Sequence, residues 1–426
     1  MTAPGASLHG LTWDVALAGG GPAAATLSTL LAQRGYRCLV LENHTFPRYH
    51  VGESLLPATN RVLAEMEVLP AVRAAQFRRK HGLRVVGREG TWSMPFHFSE
   101  ALPPQEAETW HVERARFDRI LLDNAASCGA VVREGIHVER VLFDQGRATG
   151  LIAVDRRGKP LEIAARVVVD ATGRNCLLGR QLGLISEVSG MRKACAWAYH
   201  RGVRLPNGIE EGETTLFLIP GGGWAWCIPL PAGIYSIGVV GEAEAFGTEL
   251  NNHELAYLRT LQRSDALREA LAPASRVGHC RCLGRIAYRN SQTVGPGWIM
   301  LGDARSFMDP VYSQGLTLAI LSAAIAAEGL HEALASGDLS PASLGRHEPR
   351  IDLGFENARR LAEAFYHPGF TLPDFLHRFP DERRPLVQCL AGDLFRDHSS
   401  LASAFEGMAA THSTLEAETE APVASP

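Results

Sequence analysis

The sequence of 426 residues is 46% apolar and 21% charged, and its formal net charge at pH 7 is −4. This length can supply two or more domains and a large core, and the small net charge excludes the strongly basic character of a polyanion-binding protein. The eight cysteines show no paired C-x-x-C spacing, which favours reduced thiols in a cytoplasmic protein and argues against a metal site.

The chain opens with a βαβ pattern. Residues 14–18 form an apolar run typical of a buried strand, residues 25–34 have the character of a helix, and Gly35 is a helix stop. A second apolar strand is predicted over 38–41 and ends on Glu42. This order of elements is the setting in which the dinucleotide-binding fingerprint occurs.

The turn between the first strand and the helix carries that fingerprint in the form G-x-G-x-x-A. Gly19 permits a tight turn, Gly21 lets the backbone approach a pyrophosphate, and Ala24 lets the helix pack closely on the sheet. Glu42 stands where an acidic residue binds the hydroxyl groups of an adenosine ribose. The fingerprint predicts a dinucleotide site but does not distinguish NAD from FAD.

The segment after Glu42 is predicted to be a loop that leads into a helix. Ser54 has the character of a helix cap, and Pro57 then falls in the first helical turn. Further on, the basic run 78–80 ends at Lys80, between a predicted helix and an alternating strand over 83–86. On the residues alone, such a run is more often the solvated end of a helix than a functional group.

The middle of the chain first continues the mixed pattern and then becomes purely β. An amphipathic helix is predicted over 116–126, and a strand over 166–171 runs into the small-residue sequence D-A-T-G. Residues 194–240 contain several strands outside any βαβ unit, which indicates a separate antiparallel sheet. In this block Trp224 and Trp226 lie on the same face of one strand, where core packing is the ordinary interpretation, although the preceding glycines also suit the close approach of a flat molecule.

The last third of the chain is mainly helical. A strand over 298–301 runs into the sequence G-D-A, and a loop over 308–315 opens a long helix over 316–334 whose N-terminus favours an anion. The most apolar part of this helix is too short to span a membrane and contains Glu328. Helices broken by prolines follow to about residue 410, and the composition after that point predicts a disordered tail.

Three of these motifs together resemble the FAD-dependent monooxygenases of the hydroxylase superfamily: the glycine fingerprint, the D-A-T-G strand end and the G-D-A turn. The resemblance implies that the nucleotide is FAD. In that family the aspartate of G-D-A binds the ribityl chain, and the helix after it directs its dipole at the flavin, which is anionic when reduced. The cofactor-binding residues that the resemblance implies are Gly19, Gly21, Ala24, Glu42, Arg48, Ser54, Arg114, Asp170, Asp303 and Gly315.

Narrower motifs resemble the flavin-dependent halogenases. Residues 224–229 match the W-x-W-x-I-P signature of that family, and the segment 46–54 followed by Lys80 in a K-x-G setting is similar to its lysine region. Residues 309–315, with the sequence D-P-V-Y-S-Q-G, are similar to the D-P-V-F-S-S-G loop of the family. The resemblance covers roughly residues 14–334.

The halogenase resemblance also implies a mechanism. Reduced FAD and O2 give a flavin C4a-hydroperoxide, and chloride or bromide attacks its distal oxygen to form hypohalous acid. Lys80 then relays electrophilic halogen to an electron-rich aromatic ring, a role that suits a flexible amine whose pKa falls readily on burial. The halide-binding residues implied are Ser313, Gln314 and Gly315, and the tunnel or substrate residues implied are Trp224, Trp226, Ile228, Pro229 and Tyr312.

The expected substrate and partners follow from one difference from the tryptophan halogenases and from the lack of a second dinucleotide fingerprint. Tyr312 stands where the tryptophan halogenases carry a catalytic glutamate, and the position resembles the phenol and pyrrole halogenases, which have phenylalanine there. We therefore expect a phenol or pyrrole substrate, free or bound to a carrier protein, in secondary metabolism such as antibiotic biosynthesis. No second fingerprint for NADPH follows the first, so a separate flavin reductase is expected to supply reduced FAD.

Two other functions remain open on the sequence. One is a flavin-dependent aromatic hydroxylase or oxidase without halogenation, because the flavin motifs do not select the chemistry. The other is a non-catalytic FAD-binding protein, although no appended effector or nucleic-acid-binding module is evident.

The predicted fold is α/β, with a Rossmann-like FAD-binding domain of the aromatic-hydroxylase type, an inserted antiparallel β-sheet substrate domain and C-terminal helices. The predicted boundaries are 10–80, 105–185 and 280–335 for the FAD-binding domain, 81–104 and 186–279 for the substrate domain, 336–410 for the C-terminal helices and 411–426 for the tail.

Overall fold

Two large β-sheets organise the fold in the computed structural model, which describes residues 11–90, 92–205, 208–246, 253–284 and 286–420. The strands are β1 (Thr12–Ala18), β2 (Cys38–Glu42), β3 (Arg78–Lys80), β4 (Gly82–Val86), β5 (Ser93–His97), β6 (Thr109–His111), β7 (Val131–Glu134), β8 (Ile136–Asp144), β9 (Arg147–Asp155), β10 (Pro160–Asp170), β11 (Ile185–Glu187), β12 (Lys193–Arg201), β13 (Thr214–Leu218), β14 (Trp224–Pro229), β15 (Ile234–Glu242), β16 (Ser275–Leu283), β17 (Tyr288–Asn290), β18 (Val294–Gly295), β19 (Trp298–Met300) and β20 (Ser306–Phe307). The helices are α1 (Pro22–Gln33), α2 (Thr59–Glu65), α3 (Leu69–Ala74), α4 (Arg114–Ser127), α5 (Leu177–Gln181), α6 (His253–Leu261), α7 (Asp265–Leu271), α8 (Gln314–Ser336), α9 (Pro341–Leu344), α10 (Glu348–Tyr366), α11 (Leu372–Arg378), α12 (Arg383–Leu390) and α13 (Ser399–Glu420).

The first sheet has the strand order β18-β19-β10-β1-β2-β7, with β8 and β9 attached beyond β10. Strand β1 pairs in parallel with both β2 and β10, and β10 pairs in parallel with β19. Val15 to Ala18 are fully buried, because a parallel sheet is covered on both faces and its strands are therefore apolar throughout. The carboxyl ends of β1, β2 and β10 lie together, which is the edge where ligands bind in open α/β sheets.

The second sheet has the order β16-β12-β15-β14-β13-β4-β5. Its strands are antiparallel, as the sequence predicted, except that β13 pairs in parallel with β4. That exception arises because β4 comes from a distant part of the chain rather than from a hairpin with β13. One face of this sheet packs on α6 and α7, and the other packs on the C-terminal helices α10 to α13.

Helix α8 is the core helix between the sheets and the C-terminal region. It is long and apolar enough to cross a membrane by composition alone, but 67% of its most apolar window is buried inside the protein. It packs against α1 in the core of the first sheet, so burial in that core accounts for its apolar character.

Three local predictions were wrong. Ser54 does not cap a helix: α2 begins at Thr59, and Ser54 instead forms a β-bridge with His111. Lys80 does not end a solvated helix, because it is the last residue of β3 and only 1% exposed. The chain after residue 410 is not a disordered tail throughout, since α13 continues to Glu420, and residues 421–426 lie outside the described residues.

Candidate active site

One cavity of about 950 Å³ runs from the carboxyl edge of the first sheet to the buried face of the second. Its walls include the turn after β1, the segment after β2, the N-termini of α1 and α8, and strands β13 and β14. The predicted site residues that line it are Gly19, Gly21, Glu42, Arg48, Ser54, Arg114, Trp224, Trp226, Ile228, Asp303, Ser313 and Gly315. The others, Ala24, Lys80, Asp170, Pro229, Tyr312 and Gln314, lie behind the walls.

The glycine turn is shaped for close contact. Gly19 has a φ of 98°, and a Cβ atom there would collide with the carbonyl oxygen of Ala171, so only glycine fits. The N–H group of Gly20 donates to Glu42 Oε2 at 2.7 Å, and the N–H group of His44 donates to Glu42 Oε1 at 2.7 Å. Glu42 thus fixes the turn, and its carboxylate retains lone pairs for ribose hydroxyls.

Helix α1 begins at this turn with Gly21 as its N-cap and has no side-chain cap. Its uncapped N–H groups therefore open onto the cavity and favour a phosphate group. Ala24 is fully buried in the core beneath α1, which agrees with the packing role that the fingerprint gives this position.

Asp170 does not reach the cavity. Its Oδ1 accepts hydrogen bonds from the N–H and hydroxyl groups of Thr172, and its Oδ2 accepts one from the N–H group of Leu178. The carboxylate therefore holds the turn after β10, and the residues after it, Ala171 to Gly173, form the cavity wall. The sequence predicted that Asp170 contacts the cofactor; in the structure its carboxylate supports this turn instead.

Two arginines join the cavity to a carboxylate that sequence reasoning missed. Arg114 donates to both oxygens of Asp118 at 2.7 and 2.9 Å, and its Nη1 donates to the carbonyl oxygen of Val51 at 2.9 Å. Arg48 pairs with the same Asp118 at 3.1 Å. This arrangement ties the loop before Ser54 to α4 and leaves both arginines on the cavity wall.

The start of α8 forms a second anion-binding end of the cavity. Tyr312 and Ser313 both have left-handed backbone conformations, with φ of 60° and 61°, and Ser313 is the N-cap of α8 without a side-chain cap. The side chain of Gln314 points away, because its Nε2 donates to the carbonyl oxygen of Cys389 at 3.0 Å. Tyr312 is buried edge-on against Phe365 with ring centroids 5.6 Å apart, so neither side chain lines the cavity as predicted.

Asp303 lies on the wall between these two ends. Burial raises the pKa of Asp303 to about 6, and the opposing charges of Arg174 and Arg114 limit that rise. A half-buried carboxyl group that faces the cavity, with two arginine charges acting on it, suits hydrogen bonding to polyol hydroxyls.

The second sheet supplies an apolar end of the cavity. Trp224, Trp226 and Ile228 of β14 face it at every second position, and so do Thr214 and Leu216 of β13, because side chains alternate along a strand. This alternation explains the spacing of the W-x-W-x-I part of the motif. Pro229 ends the strand without lining the cavity.

Lys80 lies just behind this apolar end. Its Nζ donates to Ser54 Oγ at 2.8 Å and to the carbonyl oxygen of Leu55 at 3.3 Å, and it lies 5.2 Å from the centre of the Phe98 ring. Burial lowers the pKa of Lys80 to about 7, although the carboxylate of Glu213 acts to raise it. Near neutral pH the side chain is therefore a mixture of ammonium and free amine.

Glu213 is the second residue that sequence reasoning missed. It is fully buried beside His97 Nδ1, 3.0 Å away. A Cβ atom on Gly82 would lie 2.8 Å from Glu213 Oε1 and would collide with the carbonyl oxygen of Phe96. The glycine of K-x-G thus makes room for this carboxylate. An acidic residue directly before the predicted strand at 214 was the only available signal.

The residues of the cavity fit the FAD that the resemblance implies. Two helix N-termini without side-chain caps open onto one cavity, and each favours an anionic group such as a pyrophosphate or a reduced flavin. Glu42 and Asp303 supply acceptors for the ribose and the ribityl chain.

Comparisons with known proteins agree with this geometry. The chain matches the family model described as tryptophan halogenase over residues 14–107 and 104–370. It is 31% identical over 407 residues to the 1H-pyrrole-2-carbonyl-(peptidyl-carrier protein) chlorinase of Pseudomonas fluorescens, covering 90% of each chain. It is 33% identical over 334 residues to the tryptophan 2-halogenase of Chondromyces crocatus, covering 77% of this chain and 63% of that one. The solved structure of the flavin-dependent brominase Bmp2 aligns with a TM-score of 0.86 and 25% identity, covering 95% of this chain and 100% of that one.

Proposed function

The chain belongs to the tryptophan-halogenase family of flavin-dependent halogenases, and on that premise we propose that Lys80 delivers electrophilic halogen to an electron-rich pyrrole or phenol ring. The observation that supports this role is the position of the amine. It is buried, bonded to a hydroxyl and a carbonyl oxygen, and held against the far end of the cavity from the glycine turn. A lysine in an ordinary structural role keeps its ammonium in water.

FAD would be held by the glycine turn at its pyrophosphate, by Glu42 at its ribose and by Asp303 at its ribityl chain. When bound in its reduced form, FAD supplies the oxygen activation that converts a halide into hypohalous acid. The protein's own residues bind and orient the cofactor and keep water from the acid.

We assign the halide, chloride or bromide, to the backbone N–H groups at the start of α8. Ser313 and Gly315 line the cavity there, and an uncapped helix N-terminus favours an anion. The side chain of Gln314 takes no part, because it is bonded to Cys389.

The halogen then passes to Lys80 in one of two ways. The ammonium form donates a hydrogen bond to hypohalous acid and makes it more electrophilic. The amine form reacts with the acid to give water and an N-halo lysine, and the ring then takes the halogen while its displaced proton returns to the nitrogen. In both cases Trp224 and Trp226 separate the ring from the flavin.

The apolar end of the cavity supports a flat, weakly polar substrate ring. Trp224, Trp226, Leu216 and Ile228 line this end, and Tyr312 brings no carboxylate to the position where tryptophan halogenases have one. We therefore favour a pyrrole or a phenol over tryptophan, presented free or on a carrier protein as in the chlorinase relative's name. A separate flavin reductase supplies reduced FAD, since the sequence has one dinucleotide fingerprint.

The test is turnover of the purified enzyme with a flavin reductase, FAD, NADH and chloride or bromide. The substrate panel contains phenols, indoles, free pyrroles and a pyrrole-carrier conjugate, and mass spectrometry detects the halogen isotope pattern. We expect halogenated pyrrole or phenol. Oxygen incorporation without halogen would mean that the protein is a flavin hydroxylase instead.

Replacement of the lysine tests its assigned role. Lys80→Ala is expected to abolish halogenation while oxidation of reduced FAD continues at the wild-type rate, because the cofactor end of the cavity is untouched. Lys159→Ala, at an exposed lysine between β9 and β10, is the control and should behave as wild type. Loss of FAD binding in Lys80→Ala would show a structural lysine and contradict the proposal.

A further inference from the structure

Two hydroxyl groups on the cavity wall are linked by hydrogen bonds to Lys80. Ser54 and Thr214 both line the cavity, whereas Lys80 does not. Ser54 Oγ accepts from Lys80 Nζ at 2.8 Å and lies 3.3 Å from Thr214 Oγ1. Ser54 and Thr214 are each only 3% exposed, and Lys80 is 1% exposed. The three side chains therefore meet in the protein interior.

Ser54 is held at this place by the backbone around it. The N–H group of Leu55 donates to the carbonyl oxygen of Trp110 at 3.0 Å, and the N–H group of Val112 donates to that of Glu53 at 2.6 Å. Strand β6, which contains Trp110, pairs with β3, which carries Lys80. The serine and the lysine are therefore fixed against the same strand.

The hydrogen-bonding capacity of the two groups leaves Ser54 able to serve the cavity. Lys80 uses two N–H groups on Ser54 and Leu55, so its remaining position carries a proton in the ammonium form and a lone pair in the amine form. Ser54 accepts from the lysine and retains its own O–H group, which can donate to Thr214 or to a molecule in the cavity.

The neighbouring surface makes this hydroxyl pair the polar route to the lysine. Leu216, Trp226 and Ile228 beside it present apolar atoms to the cavity, and a polar molecule that moves past apolar atoms loses hydrogen bonds at a cost in free energy. Hypohalous acid is a small molecule with one O–H donor and can exchange hydrogen bonds with the two hydroxyl groups in turn.

We propose that Ser54 is the positioning residue for Lys80 and that Ser54 and Thr214 together form the opening through which hypohalous acid reaches the lysine amine. This inference rests on the proposed halogenase function. The sequence predicted that Ser54 binds the cofactor, whereas this inference assigns it to halogen transfer.

The experiment compares Ser54→Ala, Ser54→Thr and Thr214→Val in the full-length enzyme with reductase, FAD and bromide. Ser54→Ala should lower halogenated product by at least about tenfold, the rate equivalent of one hydrogen bond to a charged group. Oxidation of reduced FAD should stay at the wild-type rate. Hypohalous acid that escapes, trapped by monochlorodimedone in solution, should rise by the amount that product falls.

The conservative and control variants separate positioning from structure. Ser54→Thr keeps the hydroxyl and should give the wild-type yield of halogenated product per oxidised FAD. Thr214→Val preserves the shape of the side chain but removes its hydroxyl, so it should also raise the fraction of hypohalous acid that is trapped in solution. Ser28→Ala removes a buried hydroxyl in α1 that bonds only within its own helix, and it should leave coupling unchanged. If Ser54→Ala does not fold, Thr214→Val decides the question.

Three outcomes overturn the inference. If Ser54→Ala and Thr214→Val both convert the wild-type fraction of oxidised FAD into halogenated product, the two hydroxyl groups do not form the opening. If Ser54→Ala raises the FAD dissociation constant but leaves the yield of halogenated product per oxidised FAD unchanged, Ser54 binds the cofactor instead. Failure of Ser54→Thr to restore coupling would leave no role for the hydroxyl. Full activity of Lys80→Ala, measured in parallel, would instead contradict the proposed function itself.

Discussion

At the scale of single residues, the lysine pocket has an unusual electrostatic balance. Phe98, Ser54 and His111 lie around Lys80, and the opposing charge that acts on the pKa of Lys80 is the buried Glu213. Burial raises the pKa of Glu213, while His97, Arg84 and Lys80 lower it. The protonation state of the lysine therefore depends on a carboxylate that lies directly before β13.

This balance predicts the pH dependence of halogen transfer. Because burial lowers the pKa of Lys80 to about 7, the amine form increases as pH rises through that value. If the amine accepts the halogen, single-turnover product should rise with pH over the same range. In Glu213→Gln the carboxylate that favours the ammonium is gone, so the rise should move to lower pH.

Rapid-quench product yield against pH measures this effect, with flavin oxidation followed in the same samples. His97, Arg84 and His111 also face the pocket, so His97→Gln serves as the matched control for loss of a neighbour. A profile that falls as pH rises would mean that the ammonium, bonded to hypohalous acid, is the active form. If the pH profile of Glu213→Gln is not shifted, Glu213 does not affect the pKa of Lys80.

Gly82 gives a second prediction at this scale. A Cβ atom there meets the carbonyl oxygen of Phe96 and Glu213 Oε1, and the backbone oxygen cannot move aside cheaply. Gly82→Ala should destabilise the fold by about 1–3 kcal/mol and reduce halogenation. Thermal unfolding and turnover measure both effects. Gly407→Ala is the control, because a Cβ atom there would meet only the ring of Phe379, at 3.4 Å. Equal losses in the two variants would contradict the argument.

At the scale of elements, α10 supports the loop before α8, to which we assign the halide. Tyr366 donates to Asp309 Oδ2 at 2.9 Å and accepts from Trp224 Nε1 at 2.8 Å, and Asp309 Oδ1 accepts from the N–H group of Val311. One tyrosine therefore connects the tryptophan motif to the loop that precedes α8. Burial raises the pKa of Asp309 to about 7, and the hydrogen bonds from Val311 and Tyr366 oppose that rise.

Tyr366→Phe tests this connection. Removal of the hydroxyl leaves Trp224 Nε1 and Asp309 without their partner, which should cost about 1–3 kcal/mol of stability. It should also raise the KM for halide while FAD affinity stays unchanged, because the glycine turn is remote. Halide titration of turnover and FAD titration measure the two effects. Tyr36→Phe is the control, because the Tyr36 hydroxyl bonds to His331 near the C-terminal end of α8; it should leave the halide KM as in wild type.

At the scale of the whole molecule, the C-terminal helices support the sheet that forms the apolar end of the cavity. These helices pack on the tryptophan face of the second sheet through a cluster that includes Leu361, Phe375, Leu390 and Leu401. Phe375 is fully buried, and its ring centroid lies 5.0 Å from that of Phe405 in α13. These helices therefore back the tryptophan face without lining the cavity, whose lining residues end at Ala319.

Phe375→Ala should destabilise the protein by about 3–5 kcal/mol. Because the tryptophan face of the cavity then loses part of its support, a larger fraction of hypohalous acid should escape to a trap in solution at temperatures where the variant remains folded. Thermal unfolding and the trapped fraction measure the two effects. Phe143→Ala, at a partly buried site on β8, is the control. A destabilised but fully coupled Phe375→Ala would mean that the cluster supports the fold without closing the site.

Local sequence pattern was enough to predict several parts of this protein. The βαβ order, the glycine turn with Glu42, and the alternation of Trp224 and Trp226 follow from side-chain periodicity and backbone sterics over a few residues. The α/β fold and the membership of the halogenase family that these motifs predicted are confirmed.

The contacts between distant side chains depend on the three-dimensional fold. Lys80 bonds to Ser54 26 residues earlier, and Trp224 bonds to Tyr366 142 residues later, distances over which no periodicity acts. The inward turn of Asp170, the partner of Gln314 and the burial of Lys80 depend in the same way on what the rest of the chain packs against each group. A buried polar group must find a partner wherever the fold provides one, and that partner is invisible in the linear sequence.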